Sequence, residues 1–456
     1  MRLEERLSRL RGELPTLPEQ AQTQAPAVDP GPSLAQRLAR LRPQSTGEAG
    51  TARRERPPGR EAVVPAPAAD ATGPAAVAAG RLPPQAASLD GMLEGIWAAP
   101  GVLLVERRIP LAQTHGSVSL GEGLAALAGL AERALGLGQA GDPSGWCLLD
   151  TETSGLAGGT GTWVFACGLG RPQGDALVLR QLLLARLDAE PAFLAALGEA
   201  MTGCTLLVTY NGKSFDLPLL ATRLQLAART GGHAAAWPQG SGAGPDLKSV
   251  PHLDLLHPIR RAFTPVWPDC RLGSAETRLL GLRRQGDLSG AEAPRAWLDW
   301  LRRAETAGLA GVLGHNRLDL LALATLPAPI ARALADPAQV GADPLAVAGW
   351  HRDRGDTHQA RRVLEVNRLA LSRVGLLELA RCRYRDGDWG GVCDLLAPLA
   401  ESGDADALAA LAKLWEHRLG DAARALDLAR RLPPGEERER RCRRLEAKLG
   451  RGRANT

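Results

Sequence analysis

Asp150 and Glu152 stand one residue apart at the end of an apolar run, in LLDTETSGLAGGTGT. On a regular strand positions i and i+2 share a face, so both carboxylates look the same way and Thr151 looks the other. A solvated strand end carries such a pair at little cost; a cation site would use the same wording. Asp216 follows a second apolar run in VTYNGKSFDLPLL, near the start of a helix, a position that capping and the helix dipole also favour for a carboxylate. His315 and Asp319, in GHNRLDLL, are four apart and share one helix face. PHLDLLHP adds Asp254 between His252 and His257. Singly, each has a structural explanation. Jointly, Asp150, Glu152, Asp216 and Asp319 are hard oxygen ligands of the kind that Mg²⁺ or Mn²⁺ takes. Two such ions roughly 3.5–4 Å apart steady the attacking and leaving oxygens at phosphorus, and a neighbouring histidine can deprotonate or orient a water.

The order and wording of DTETSGL, NGKSFD and HNRLD resemble the three exonuclease motifs of the DEDD group in the ribonuclease H-like superfamily. The match resembles YprB-type ribonuclease H-like proteins more closely still, through DTETSGLAGGTGT, VTYNGKSFDLPLL, PHLDLLHP and HNRLDLLAL. It covers residues 146–327 and extends more loosely back to 90. The resemblance implies that Asp150, Glu152, Asp216 and Asp319 hold two Mg²⁺ or Mn²⁺ ions, with Asp150 bridging both. It implies His315 as general base or water orienter, and hydrolysis at a 3′ end of single-stranded DNA or RNA with release of nucleoside monophosphates. One departure stands out. Three residues separate His315 from Asp319, the spacing of the tyrosine form of these enzymes; the histidine form has four. Thr153, Asn211, Lys213, Phe215 and Asp254 are candidate substrate contacts, with turn, core or supporting roles as their structural counterparts.

These residues need a scaffold, and the apolar pattern supplies one. GWCLLDTE, TWVFACGLG and ALVLRQLLL read as three successive strands, CTLLVTYN as a fourth and HLDLL as a short one, with helices at EPAFLAALGEAM, SFDLPLLATRLQLAART and GVLGHNRLDLLALATL. A meander followed by alternating helix and strand predicts an α/β fold that is not doubly wound, and the resemblance implies that it is a ribonuclease H-like mixed sheet flanked by helices. Upstream, residues 1–90 read as a Pro/Ala/Gly-rich, mostly disordered arm. It opens with a short amphipathic helix carrying Leu3, Leu7, Leu10 and Leu14. Residues 91–145 read as an extension packing on the core, 146–327 as the exonuclease domain. From 340 to 448 the pattern is wholly helical. Gly-Asp recurs at 355, 387 and 420, at intervals of 32 and 33 residues, resembling tetratricopeptide-like repeats able to hold a protein partner.

The net charge of +5 permits a nucleic-acid partner without requiring one. Seven scattered cysteines lack zinc-site or CxxC spacing, which suits reduced thiols in a cytoplasmic protein. The first residues lack a signal-peptide core, and no run reads as a membrane span. Serine hydrolysis and nucleotide-loop chemistry are unsupported, since Ser154 and Ser214 have no G-x-S-x-G context and GLAGGTGT lacks the Walker lysine. Two alternatives to a nuclease remain open: a nucleic-acid-binding protein that turns over nothing, and a scaffold acting through its repeats.

Overall fold

The computed structural model of the chain describes residues 86–155, 160–229, 247, 249–288 and 291–454. All of them belong to a compact unit spanning 76–456. The expected amphipathic N-terminal helix and the arm up to residue 85 lie outside the described residues. Residues 86–90, expected as the end of that arm, are helical. Helix α1 (Ala86–Leu93) occupies its last positions and buries Leu89 and Leu93. Those two apolar residues, four apart on one face, are what the arm's composition concealed.

Seven strands form the main sheet: β1 (Ile96–Ala99), β2 (Val102–Pro110), β5 (Trp146–Thr153), β6 (Val164–Gln173), β7 (Ala176–Leu184), β8 (Leu206–Thr209) and β9 (His252–Asp254). A two-stranded ribbon, β3 (Thr114–His115) with β4 (Val118–Ser119), stands apart. The sheet order is β1-β2-β7-β6-β5-β8-β9. The first five of these strands pair antiparallel, while β8 runs parallel to β5 and β9 parallel to β8. Trp146 to Leu149 of β5 are all buried, which explains their uninterrupted apolar run: a central strand covered on both faces has no solvent side to alternate with. The stretch GIWAAPGVLLVERRIP, at the start of the expected extension, is the hairpin of β1 and β2. Its longer arm pairs with β7 over nine positions, from Val102↔Leu184 to Pro110↔Ala176. The segment ahead of residue 146 is thus part of the sheet itself.

The helices of this region are α2 (Leu120–Leu135), α3 (Glu190–Ala200), α4 (Asp216–Arg229), α5 (Leu256–Phe263), the short α6 (Leu272–Ala275) leading into a wide turn at Glu276–Leu280, α7 (Ala293–Arg303), α8 (Ala307–Thr325) and α9 (Pro327–Ala335). One face of the sheet packs Leu148, Leu206 and Val208 against α2, α5 and α9. The other packs Cys147, Leu149 and Leu207 against α3, α4 and α7. Helix α8 serves both cores: Leu309, Val312 and Leu313 belong to the second, Leu320 to Ala324 to the first. Residues 315–319 lie at its crossing point. The stretch Ala307–Ala335 is long and apolar enough to span a bilayer, but its burial between two cores explains that composition here.

A helical repeat region follows: α10 (Pro344–Arg352), α11 (Thr357–Val366), α12 (Arg373–Arg385), α13 (Trp389–Glu401), α14 (Ala405–His417), α15 (Ala422–Arg430) and α16 (Glu436–Ala454). The Gly-Asp pairs are its helix junctions. Gly355, Gly387 and Gly420 adopt φ of +80°, +78° and +75°, a left-handed turn that glycine enters freely. Asp356, Asp388 and Asp421 then cap the next helix by accepting a backbone N–H three residues on. Gly403-Asp404 is a fourth such junction, with φ +86° and a cap on Ala407. It falls midway between two of the others, so the motif marks individual helix turns rather than whole repeats.

Candidate active site

Asp150 lies near the C-terminal end of β5, and its cross-strand partners build the site around it. In register beside it are Gly168 on β6 and, one strand further, Gln181 on β7. Gln181 donates to the Leu313 carbonyl and to Asn316 Oδ1, both at 2.8 Å. Asn316, wholly buried on α8, passes the polarity on: its Nδ2 donates to Asp150 Oδ2 at 2.8 Å and to the Asp150 carbonyl at 3.2 Å. Gly168 makes this possible. A Cβ there would stand 2.1 Å from Asn316 Oδ1 and 2.7 Å from Leu320 Cδ1, so only glycine lets α8 lie this close to the sheet.

Asp216 reaches the same place from β8. Its approach is the turn Tyr210–Phe215, which Asp254 organises. Asp254 is buried, and its two oxygens accept the N–H groups of Asn211 (2.8 Å), Lys213 (3.1 Å) and Leu256 (3.1 Å). Asn211 takes φ +69°, a left-handed position that asparagine tolerates better than other side-chain-bearing residues. At Gly212 a Cβ would meet Thr209 Oγ1 at 2.4 Å. The turn delivers Asp216 to the first position of α4, where the Thr151 hydroxyl donates to its Oδ1. Thr151, facing away from Asp150 and Glu152 as a regular strand requires, thereby ties β5 to α4.

His315 and Asp319 come from the crossing point of α8. His315 Nδ1 is 2.8 Å from Asp287 Oδ2, leaving Nε2 to face Asp319 Oδ2 at 3.6 Å. Arg284 binds the same group of acids: Asp319 at 2.5 Å, Asp287 at 3.0 Å and Glu276 at 2.8 Å. Glu276 is buried and also pairs with His115 at 2.7 Å.

The electrostatics follow from four acids sharing little water. Asp150 is pushed well above the carboxylate range, first by burial, then by the charges of Asp319, Glu152 and Asp216, against the Asn316 hydrogen bond. Burial lifts Glu152 to about 7; His315 opposes this, while Asp319 and Asp216 add to it. Burial likewise lifts Asp216 to about 6 despite the Thr151 bond. Asp319 also rises through burial, although Arg284 and His315 pull it down. His315 sits above the ordinary imidazole value: burial acts against its charge, and Asp319, Asp287 and Glu152 outweigh it. Asp287 alone falls, because His315 and Arg284 overcome its burial.

Such a group of acids asks for positive charge. The donors are hard oxygens, and Glu152 Oε1 is buried without a hydrogen-bond partner, so the set fits a divalent cation in chemistry and electrostatics. Among the described residues, no three His, Cys, Asp or Glu side chains are drawn close enough together to hold an ion as they stand. Arg284 supplies the cation to Asp319 instead.

The remaining candidates divide. Thr153 is buried and donates to the Gly155 carbonyl at 3.0 Å, so its hydroxyl bends the chain after β5. Lys213 is exposed and Phe215 half-buried beside Asp216. Asn211 and Asp254 act in the turn. Sequence reasoning did not single out Asn316, Gly168, Gln181, Asp287 or Arg284. A polar Asn inside an apolar helix, and a glycine inside a strand, were signals for the first two. Asp287 and Arg284 sit in an irregular segment whose pattern offers none.

Residues 147–330 match the RNase_H superfamily. The chain is also similar to the uncharacterized protein YprB of Bacillus subtilis (strain 168), at 33% identity over 222 residues, which is 48% of this chain and 50% of that protein. The chain therefore spans about half the length of this curated relative. Its sheet-and-helix region contains a ribonuclease H superfamily domain related to YprB-type proteins.

Proposed function

We propose that this protein hydrolyses phosphodiester bonds of nucleic acid, as a 3′–5′ exonuclease on single-stranded DNA or RNA ends that releases nucleoside monophosphates. The observation that carries the reading is the convergence of Asp150, Glu152, Asp216 and Asp319 from β5, α4 and α8, where Asp319 and Asp216 raise the proton affinity of both Asp150 and Glu152. Acids held in this way gain most from a divalent cation, and these four would hold Mg²⁺ or Mn²⁺. Bound there, the ions would polarise the phosphoryl group and lower the pKa of a water. The chain's own residues do the rest. Asp287 accepts from His315 Nδ1, which fixes the ring and leaves Nε2 free to take a proton from the attacking water. That support answers the unusual spacing: with three intervening residues His315 sits one helical turn before Asp319, and Asp287 orients it from outside the helix. Asn316 and Thr151 hold Asp150 and Asp216 in place.

A second reading has one specific observation behind it. Arg284 already neutralises Asp319 at 2.5 Å, which suits a nucleic-acid-binding protein without turnover. The two separate in one assay. Single-stranded DNA and RNA oligonucleotides labelled at either end are incubated with Mg²⁺, Mn²⁺ or EDTA, beside Asp150→Asn purified identically. A metal-dependent ladder from 5′-labelled strands, absent in the variant, is the expected result. Binding without cleavage in either metal would replace the hydrolytic reading with the second one. The helical repeats are proposed as a protein-binding surface, to be checked by association partners lost on their deletion.

A further inference from the structure

We infer that a basic cavity between the β1–β2 hairpin and α8 binds the phosphates of the nucleic-acid strand, and that the hairpin ahead of the superfamily domain supplies half of it. The inference rests on the reading that nucleic acid is the substrate. The cavity, of about 540 Å³, lies between β2, the β3 ribbon and α8, with Arg107, Arg108 and Arg317 together with Gln113, Thr114 and His115 among its lining. None of its lining residues is an acid.

Three observations point to an anion. First, the arginines of the cavity have little carboxylate compensation. Arg107 has only the exposed Glu94 at 3.2 Å, and neither Arg108 nor Arg317 makes an ion pair among the described residues. A guanidinium without a carboxylate offers a phosphate oxygen pair a bidentate partner. Second, Arg317 Nε is buried without a hydrogen-bond partner, a donor whose desolvation is offset only when an acceptor arrives. Third, the walls are fixed in place. Ser117 donates to the Leu280 carbonyl at 2.9 Å, and at Gly116 (φ +65°) a Cβ would meet that same oxygen at 2.3 Å.

The position relative to the site matters as much as the charge. Arg317 lies on α8 between His315 and Asp319, and His115 in the cavity wall contacts Glu276, which contacts Arg284, which holds Asp319. A strand whose phosphates occupy the cavity is therefore anchored one helix face away from the acids. Arg107 and Arg108 belong to β2, outside residues 147–330, so the superfamily domain alone would lack half of this anchor.

The test is binding of 5′-fluorescein-labelled single-stranded DNA and RNA to the full chain in EDTA, where nothing is cut, followed by anisotropy across a salt series. Arg108→Gln with Arg317→Gln is expected to weaken binding roughly tenfold. It should also make the log K against log salt slope shallower by about 1.4, two contacts at ~0.7 each. Because Arg317 is half-buried, Arg108→Glu, an exposed position, serves as the second variant and is expected to weaken binding at unchanged melting temperature. Unchanged affinity and slope in both variants would overturn the inference. So would competition by millimolar inorganic phosphate at this cavity with strand binding insensitive to the variants, since that describes a free-anion site. Cavity-dependent binding by a protein that cleaves nothing in Mg²⁺ or Mn²⁺ would uphold this inference and sink the hydrolytic reading. Cleavage with cavity-independent binding would do the reverse.

Discussion

Acidic side chains behave in opposite ways at the two ends of this molecule. In the helical repeats they are matched. Glu416 accepts two bonds from Arg444 at 2.8 and 2.7 Å, Glu365 two from Arg383 at 2.8 and 2.6 Å, and Asp404 is held by Arg373 while capping α14. Hydrogen bonds from those arginines hold all three carboxyls below the usual range. At the end of β5 the acids are held above it by burial, to which repulsion from Asp319 and Asp216 adds at Asp150 and Glu152. A lowered carboxyl is ionised more readily in the folded state and so stabilises it; a raised one does the opposite. The repeat acids support the fold, whereas the site acids are carried by it. Stability forgone at a buried cluster marks a place kept for something other than folding.

The sharpest way to break this contrast is Asp150→Asn. Asparagine keeps an acceptor for Asn316 and removes the charge. Cleavage of labelled strands should fall by roughly 10³-fold or more, while the metal-free protein should melt roughly 2–4 °C higher. A variant that is inactive but less stable would show that Asp150 supports the fold like the acids of the repeats. Next in size is Gly168→Ala. Its Cβ would overlap Asn316 Oδ1, so α8 must withdraw from β6 and carry His315 and Asp319 with it. Overpacking of this kind costs about 1–3 kcal/mol, and displacement of reacting groups by an ångström costs about 10²-fold in rate. Turnover falling no further than folded fraction would mean that the close approach is only packing.

How much of this was visible in the chain differs between the same two regions. The sheet, its meander and α8 were legible because apolar runs between glycine and polar breaks report burial directly. Asp150, Glu152, Asp216, His315 and Asp319 were legible through spacing and resemblance, and the fold brings several of their charges within reach of one another without drawing any three such side chains, among the described residues, close enough to hold an ion. Their supports were harder to see. Asn316 reaches Asp150 only because Gly168 and Gln181 fall in register on two further strands, and register is a tertiary fact. Arg284 and Asp287 lie in an aperiodic segment between α6 and α7. The hairpin β1–β2 lies in the segment read as an extension, because nothing in its own pattern shows that β2 pairs with β7. In the repeats three of the four Gly-Asp junctions were legible, since the fourth, at Gly403, falls within a period rather than at its end.

Titration sharpens the comparison further. In EDTA, Glu152 with a folded pKa of about 7 and Asp216 with one of about 6 bind protons more tightly than unfolded Glu and Asp, near 4.3 and 3.9. Their contribution is therefore fully present below about pH 4 and is lost as pH rises to 7. The difference in melting temperature between wild type and Glu152→Gln isolates this from the other titrating groups. The variant should gain of order 2 kcal/mol relative to wild type between pH 5 and 8, and Mg²⁺ should erase much of the gap. Parallel curves would mean that Glu152 keeps an ordinary acidity and water reaches it.

The smallest effect is expected at the other end of the molecule, where a lost carboxylate should cost stability and nothing else. Asp421 accepts the Arg424 N–H at 2.9 Å at the start of α15. Asp421→Ala leaves that donor to water and removes the residue that follows the left-handed Gly420, for a loss of about 1 kcal/mol. Asp421→Asn keeps the acceptor and should recover most of it. Both variants should cleave at the wild-type rate at 25 °C, because α15 contributes no side chain to the acids of β5. Urea melts give the first quantity and the labelled-strand assay the second. If Asp421→Ala slowed cleavage while the asparagine variant did not, the helix junctions would be transmitting to the site, and the division between acids that hold the fold and acids held by it would have to be redrawn.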